Sequence, residues 1–136
     1  MKKQPKIGVL YSRVRVEEKW IFAVLEQLGI DYDRLDDRKF SFDMNNPEPW
    51  LKYDAVLDRS ISYARGLYST RILNAWGIPT VNTAKVAEVC GNKLATVTAL
   101  SSANVPQPET RVAYTPASAL TAIEEMGYPV VLKPMV

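Results

Sequence analysis

Three short stretches with one shared pattern decide the predicted fold: EQLGID (residues 26–31), NAWGIP (74–79) and EEMGYP (124–129). In each stretch a segment with apolar residues at helical spacing runs into a glycine, and an apolar residue follows. Gly29, Gly77 and Gly127 suit the left-handed conformation that closes a helix. A strand can begin directly after each glycine, so the pattern predicts helices that alternate with strands.

Strand candidates occur at similar intervals along the chain: KIGVLYS (6–12), DYDRLD (31–36), DAVLDRS (54–60), PTVN (79–82), ETRVAY (109–114) and YPVVLKP (128–134). Several have continuous apolar centres, which is typical of strands covered on both faces. The asparagines and prolines of residues 40–54 instead favour an irregular loop. Alternating helices and strands predict an α/β fold with a mostly parallel, Rossmann-like sheet.

Two helices in series interrupt this alternation. Thr83 is placed to cap a short helix, and Asn92 is placed to cap a second helix that runs to about residue 103. We therefore predict a first domain over residues 1–86. A linker helix and the beginning of a second domain follow over residues 87–136.

The composition excludes several classes of function. Among 136 residues, 47% are hydrophobic and 24% charged, and the net charge of +2 is too small for a surface built to bind nucleic acid. The N-terminal apolar run is too short for a membrane span or a signal peptide, so we expect a cytoplasmic protein that does not contact membranes. The single cysteine, Cys90, and the absence of histidine exclude an internal disulfide and a soft metal cluster.

Some residues are expected to be structural. Cys90 and the tryptophans Trp20 and Trp76 are expected in the core. The charged residues 17–19 suit a solvated helix start.

Polar residues at the carboxyl ends of parallel strands are the candidates for chemistry. Two lysines stand out, because Lys93 lies in the first turn of a helix, where the dipole disfavours a cation unless an anion is near, and Lys133 ends a strand. Together they could hold a polyphosphate; alternatively, both are simply solvated. The sequence contains neither a Walker loop nor a dinucleotide fingerprint. The other candidates are Ser12, Arg13, Asp58, Arg59 and Asn82.

A phospho-acceptor module is a weaker interpretation. Asp58 and the pair Lys133–Pro134 resemble features of receiver domains. Such domains also need acidic residues after the first strand to bind magnesium, and this chain has Ser12 and Arg13 there.

A more specific resemblance is carried by several motifs together: LYSRVRVEEKWIFAVLEQLGIDY (10–32), LDRSISYARGLYSTRILNAWGIPTVN (57–82), EVCGNKLATVTAL (88–100) and GYPVVLKP (127–134). In this order they resemble the start of an ATP-grasp ligase, a pre-ATP-grasp domain followed by the beginning of the ATP-grasp domain. Within that superfamily they look closest to the amino-group-carrier ligases of lysine and arginine biosynthesis, the LysX type. Asn92 and Asn104 stand where the superfamily often has Asp and Gly, and both replacements keep the capping geometry.

The resemblance implies that Lys93 and Lys133 contact the phosphates of ATP. Magnesium ligands and catalytic residues are expected beyond residue 136, so no metal-binding or catalytic residue is assigned within this chain. We expect the 136-residue chain alone to be inactive.

In the LysX type, ATP activates the C-terminal glutamate of an acidic carrier protein (LysW-like), and the amine of 2-aminoadipate or glutamate attacks the acyl phosphate. Arg59, Ser62 and Arg65 are candidates to grip the carrier tail or the amino acid, because guanidinium groups bind carboxylates in a forked geometry. Surface ion pairing is the alternative for both arginines. A RimK-type ligase that adds glutamate to a ribosomal protein, and a non-catalytic module for oligomerisation or partner binding, also stay open. A homo-oligomer is expected.

Overall fold

The computed structural model describes residues 4–134, which divide into two compact units between Glu88 and Val89. Nine elements follow one another along the described chain. They are β1 (Lys6–Tyr11), α1 (Val16–Gln27), β2 (Asp31–Asp36), β3 (Ala55–Arg59), α2 (Tyr63–Ala75), β4 (Thr80–Val81), α3 (Ala84–Gly91), α4 (Lys93–Ser102) and α5 (Pro116–Met126).

The first unit is built on a four-stranded sheet in the order β2-β1-β3-β4, with every pair parallel. In β1, Val9 lies between Arg34 of β2 and Leu57 of β3. The predicted α/β fold with a parallel sheet is therefore confirmed. The connection from β1 to β2 covers one face of the sheet, and residues 37–54 and α2 cover the other, so the strand order reverses between β1 and β3. In sheets of this kind ligands bind in a crevice at the carboxyl ends of the strands that flank such a reversal.

Residues of β1 belong to two separate clusters of buried side chains, one on each face of the sheet, because successive residues of a strand point to opposite faces. Val9 packs with Phe22 and Leu25 of α1. On the other face the buried cluster joins the sheet to α2 and to residues 37–54, and its members are Leu10, Trp50, Tyr53, Val56, Leu73 and Ile78.

Residues 37–54, which join β2 to β3, are irregular, and the predicted loop over residues 40–54 is confirmed. Aromatic side chains take the place of a helix there. The ring centroids of Phe40 and Phe42 lie 5.0 and 4.5 Å from that of Trp50. Such contacts bury large apolar surfaces, and they hold the loop against the sheet.

The helix ends agree with the sequence prediction. Gly29, Gly77 and Gly127 have φ values of 63°, 79° and 76°, and Asn104 has a φ of 54°. Asn92 caps α4 by accepting a hydrogen bond from the Ala95 N–H at 2.9 Å.

Two predicted strands in the second unit are wrong. Residues 109–114 and 128–134 form no strand in the described chain, and Val131 and Leu132 are 78% and 74% exposed. A strand needs a neighbour to pair its backbone N–H and C=O groups, and these segments have no such neighbour among residues 4–134. From Val81 onward no described residue is buried.

Two predicted core residues are also exposed. Cys90 lies on α3, a helix that has no buried residue, and Trp20 lies on the outer side of α1. Both positions fit a helical apolar stripe, but helical spacing alone does not show which side of a helix meets the sheet. Trp76, by contrast, is partly buried against the cluster around Leu73. Within the described residues, no helix has the length and apolar character needed to cross a membrane.

Gly8 in β1 provides a test of the packing at the centre of the sheet. A Cβ atom at this position would lie 2.8 Å from Leu35 Cδ1 and 3.1 Å from Val56 Cγ2. We expect Gly8→Ala to lower the free energy of unfolding by about 1–3 kcal/mol through overpacking, measured by urea denaturation. Gly91→Ala, in the half-exposed end of α3, is the control and should change the stability of the sheet unit by less than about 0.5 kcal/mol. Equal effects of the two substitutions would contradict this packing.

Candidate functional site

The carboxyl ends of three strands meet at one serine. The Ser12 hydroxyl, just after β1, donates a hydrogen bond of 2.5 Å to Oδ2 of Asp37, which follows β2. The same hydroxyl oxygen accepts a 3.0 Å hydrogen bond from the backbone N–H of Ile61, which follows β3. Ser12 therefore links the residues that follow β1, β2 and β3. This is a structural role for a residue that the sequence analysis had considered for chemistry.

The side chain of Asp37 is 1% exposed, and its second oxygen, Oδ1, accepts no hydrogen bond within residues 4–134. Arg65 Nε lies 3.4 Å from Oδ1, so the two groups form an ion pair without the geometry of a hydrogen bond. The Arg65 side chain is 48% exposed and faces solvent on its other side. A buried acceptor with one oxygen free of hydrogen bonds is uncommon in proteins, and such an oxygen is costly to leave unpaired.

Helix α2 begins at this crevice. Ser62 is its N-cap residue, and the Ser62 hydroxyl oxygen accepts a 3.4 Å hydrogen bond from the Arg65 N–H. Gly66 allows the helix to approach β3 closely, since a Cβ there would lie 2.8 Å from Asp58 Oδ2. Asp58 in turn accepts a 2.9 Å hydrogen bond from the Ser60 N–H through Oδ1. Asp58 therefore has a structural role in the turn that follows β3.

A second buried carboxylate, Glu18, holds Arg59. The Glu18 side chain is fully buried, and Arg59 Nε and Nη2 each lie 2.9 Å from its Oε1. Arg15 adds hydrogen bonds of 3.0 Å from Nε to Oε2 and 2.8 Å from Nη2 to Oε1, and the Arg15 backbone N–H adds one of 2.9 Å to Oε2. Glu18 was predicted to be solvated, and the structure corrects this, because the start of α1 is folded against the end of β3.

These contacts change the acidity of Glu18. Hydrogen bonds from the Arg15 side chain lower its pKa most strongly, and burial opposes them. The Arg15 N–H and the Arg59 guanidinium add to the lowering, so the pKa of Glu18 falls from its ordinary 4.5 to about 2. The carboxylate therefore stays charged at neutral pH and keeps both arginines in place.

The sequence analysis proposed Arg59, Ser62 and Arg65 but missed the carboxylate partners of the two arginines. In the structure Ser62 accepts a hydrogen bond from the backbone N–H of Arg65, and the Arg65 guanidinium lies beside Asp37. Arg59 is held separately on Glu18. Glu18 lies three residues after the N-cap residue Arg15 and accepts a hydrogen bond from its backbone N–H, which is the glutamate half of a capping box and a local signal that could have revealed one partner. Asp37 gave no local signal, because it reaches Ser12 and Arg65 only through the fold.

The two lysines lie in the second unit, and both are exposed. Lys93 is the first residue of α4, and Lys133 lies in an irregular segment rather than at the end of a strand. Within residues 4–134 neither lysine has an ion pair. No group of three acidic or cysteine side chains that could hold a metal ion occurs in this part of the chain. Lysines without an ion-pair partner can bind phosphate. That Lys93 and Lys133 bind the phosphates of the same nucleotide stays a prediction.

The site thus combines a parallel sheet, a crevice between β1 and β3, and two arginines anchored by buried carboxylates at strand ends. A family model for the LysX pre-ATP-grasp domain matches residues 7–89. The chain belongs to this family.

Similar proteins with known names point in the same direction. The chain is 33% identical, over 95% of its length, to a glutamate–LysW ligase ArgX from Sulfurisphaera tokodaii, and 31% identical, also over 95%, to an alpha-aminoadipate–LysW ligase LysX from the same organism. These matches span 45% and 46% of the two relatives.

A solved structure confirms the fold. A RimK domain protein ATP-grasp from Sphaerobacter thermophilus superposes with a TM-score of 0.81 at 30% identity, over 96% of this chain and 49% of that one. The chain therefore spans about half the length of the proteins it matches. The predicted family and the predicted fold, a pre-ATP-grasp sheet followed by the beginning of an ATP-grasp domain, are confirmed.

Acid unfolding tests the role of Glu18. A carboxylate whose pKa is lowered by folding adds stability above its unfolded pKa, and that stability is lost as pH falls from about 4.5 towards about 2. We expect Glu18→Gln to lower the free energy of unfolding at pH 7 by about 1–3 kcal/mol and to flatten its decline in this acidic range. Some slope should remain, because Lys52 at Asp33 and Arg38 at Asp36 also lower the pKa of each carboxyl to about 2.

The matched control is Glu17→Gln, on the neighbouring residue. The Glu17 side chain is exposed and touches Arg15 only at 4.0 Å. This variant should keep the stability and the pH dependence of the unchanged protein. Identical acid slopes for Glu18→Gln and the unchanged protein would refute the buried ion-pair role.

Proposed function

We propose that this chain supplies the pre-ATP-grasp domain and the start of the ATP-grasp domain of an ATP-dependent ligase that forms an amide bond on a LysW-like carrier protein. The observation that carries the proposal is the match to the LysX pre-ATP-grasp family together with two relatives that are both LysW ligases. In such a reaction ATP converts a carboxylate to an acyl phosphate, and an amine then displaces the phosphate. Positive groups stabilise the charge on the transferred phosphoryl group.

For the nucleotide, we assign Lys93 and Lys133. Both are exposed, both belong to the second unit, and Lys93 lies at a helix N-terminus, where an anion is favoured. Magnesium would accompany ATP in this chemistry, and its ligands are not assigned within residues 4–134.

For the carboxylate-bearing partner, we assign Arg59, Ser62 and Arg65. Each arginine is held by a buried carboxylate, which orients it at low entropic cost, and each is partly exposed. Their partner is the acidic tail of the carrier or the amino-acid substrate. The same ion pairs also fit the alternative that both arginines serve only the structure. A functional test therefore decides between the two roles.

Glutamate and 2-aminoadipate are both candidate amino acids, since the two relatives differ in this respect. A RimK-type activity is the second candidate, favoured by the RimK domain neighbour. A cytoplasmic homo-oligomer and a non-catalytic binding role also stay predictions.

Ligation is tested with the protein purified from its native source, after its intact mass has been compared with the 15.3 kDa of these 136 residues. We expect the native protein, given ATP, magnesium and a LysW-like carrier, to increase the carrier's mass by one glutamate or one aminoadipate residue. The 136-residue chain alone is expected to give no product. A native mass of 15.3 kDa with no ligation would refute the ligase and favour a binding module.

Titration of the native protein with ATP tests the lysines. Lys93→Gln and Lys133→Gln should each weaken ATP binding by about tenfold or more, because each removes a charge-assisted contact to phosphate. Lys85→Gln, an exposed lysine on α3, is the control and should bind ATP as before. Unchanged ATP affinity in both test variants would exclude the two lysines from the nucleotide site.

Arg65→Gln tests the carboxylate-binding assignment. Loss of a guanidinium contact to a carboxylate should raise the KM for the carrier or the amino acid by about tenfold. Arg71→Gln is the matched control on the same helix, since Arg71 pairs with Glu88. An unchanged KM for both substrates in Arg65→Gln would leave Arg65 with a structural role only.

A further inference from the structure

An apolar stripe runs along the outer side of α1. Four residues at intervals of four form this α1 stripe, and each exposes between 51% and 67% of its surface: Val16, Trp20, Val24 and Leu28. Residues four apart are neighbours on a helix, so the stripe is continuous over about 18 Å. The opposite side of the helix, with Phe22 and Leu25, packs on the sheet. A row of large apolar side chains in contact with solvent marks a surface that another protein surface covers.

The polypeptide leaves the first unit on the other face of the sheet. α2 packs there, and the backbone N–H of Ala84, at the start of α3, donates a 3.1 Å hydrogen bond to the side chain of Asn74 on α2. Arg71 on the same helix pairs with Glu88, the last residue of the first unit, at 2.6 Å. The path of the chain out of this unit therefore follows α2, and the α1 stripe is open to a separate molecule.

The α1 stripe is complementary to a second copy of itself. Trp20 and Val24 lie two residues on either side of position 22, and Val16 and Leu28 lie six residues on either side. A two-fold axis at this midpoint would place an antiparallel copy so that the large Trp20 of each chain meets the smaller Val24 of the other. Residues spaced by four form a ridge, and such ridges pack into the grooves of a facing helix.

The charges that flank the stripe fit the same axis. Lys19 and Glu26 are seven residues apart, or two helical turns, so both lie on one flank of α1. Lys19 is exposed and has no ion pair within residues 4–134. Glu26 is exposed and accepts hydrogen bonds from Tyr32 and Arg34 through Oε1 alone. An antiparallel copy brings each Lys19 near the Glu26 of the other chain, whereas a parallel copy would bring like charges together.

We propose that two copies of this chain form a homodimer through α1, with the two α1 stripes packed antiparallel. The contact goes beyond the proposed ligase function and does not rest on it, because the stripe shares no residue with the candidate nucleotide site or the candidate carboxylate site. A single pair of helices buries less than the roughly 1,200–2,000 Å² of a standard stable interface, so we expect a dissociation constant of about 10–100 μM.

Sedimentation equilibrium of the 136-residue chain over a range of micromolar concentrations tests the dimer without ATP or carrier, so its outcome is independent of ligation. The mass should rise from 15.3 kDa towards twice that value. Trp20→Glu should raise the dissociation constant at least tenfold while circular dichroism shows an intact fold. Leu120→Glu, at an exposed apolar position on α5, is the matched control and should associate like the unchanged chain. A purely monomeric chain, or equal effects of the two variants, would overturn the proposal.

A charge exchange tests the antiparallel arrangement. In the dimer, Lys19→Glu alone places two glutamates together at each contact, and Glu26→Lys alone places two lysines together. Each variant should therefore dimerise about fivefold more weakly or worse at low ionic strength, and an equimolar mixture of the two should recover the affinity of the unchanged chain. If Trp20→Glu fails to fold, this pair still decides the question. A mixture that associates no better than either variant alone would contradict the arrangement.

The native protein distinguishes a second copy from another segment of the same polypeptide. We expect it to sediment as a dimer, and Trp20→Glu should shift it towards the monomer. A native protein that stays monomeric at concentrations where the 136-residue chain dimerises would show that another part of the polypeptide covers α1, and it would overturn the proposal.

Discussion

The first unit depends on the pairing of β1 with a strand on each side. β1 bonds to β2 along one edge and to β3 along the other, and both partners run parallel to it. This arrangement buries both faces of β1 and leaves room at Gly8 for Leu35 and Val56. The connection from β1 to β2 and the connection from β2 to β3 then cover opposite faces of the sheet. The crevice at the strand ends follows from that topology.

Two buried carboxylates organise the polar end of the sheet. Glu18 pairs with Arg15 and Arg59. Asp37 accepts a hydrogen bond from Ser12 and forms an ion pair with Arg65. In each case the free-energy cost of burying a carboxylate is offset by hydrogen bonds or an ion pair, and at least one partner comes from a different element. The difference lies in completeness, because both oxygens of Glu18 are bonded and one oxygen of Asp37 is not. Both carboxylates tie separate elements together, and the oxygen of Asp37 that accepts no hydrogen bond is itself buried beside Arg65.

The second unit contrasts with the first. Its helices carry well-formed caps at Asn92 and Thr115, yet none of its described residues is buried. Local signals are enough to start and end a helix, but apolar strands need a partner surface. The family match ends at residue 89, and the chain spans about half the length of its relatives.

The sequence by itself determined the α/β class, the helix ends at Gly29, Gly77 and Gly127, and the family, because these rest on local conformational preferences and on motif order. It also singled out Arg59 and Arg65. Only the tertiary structure decided that Glu18 is buried, that Asp37 meets Arg65, and that residues 128–134 form no strand. Each of these outcomes depends on which distant residues stand nearby, since burial and strand pairing arise between segments that are far apart in the chain.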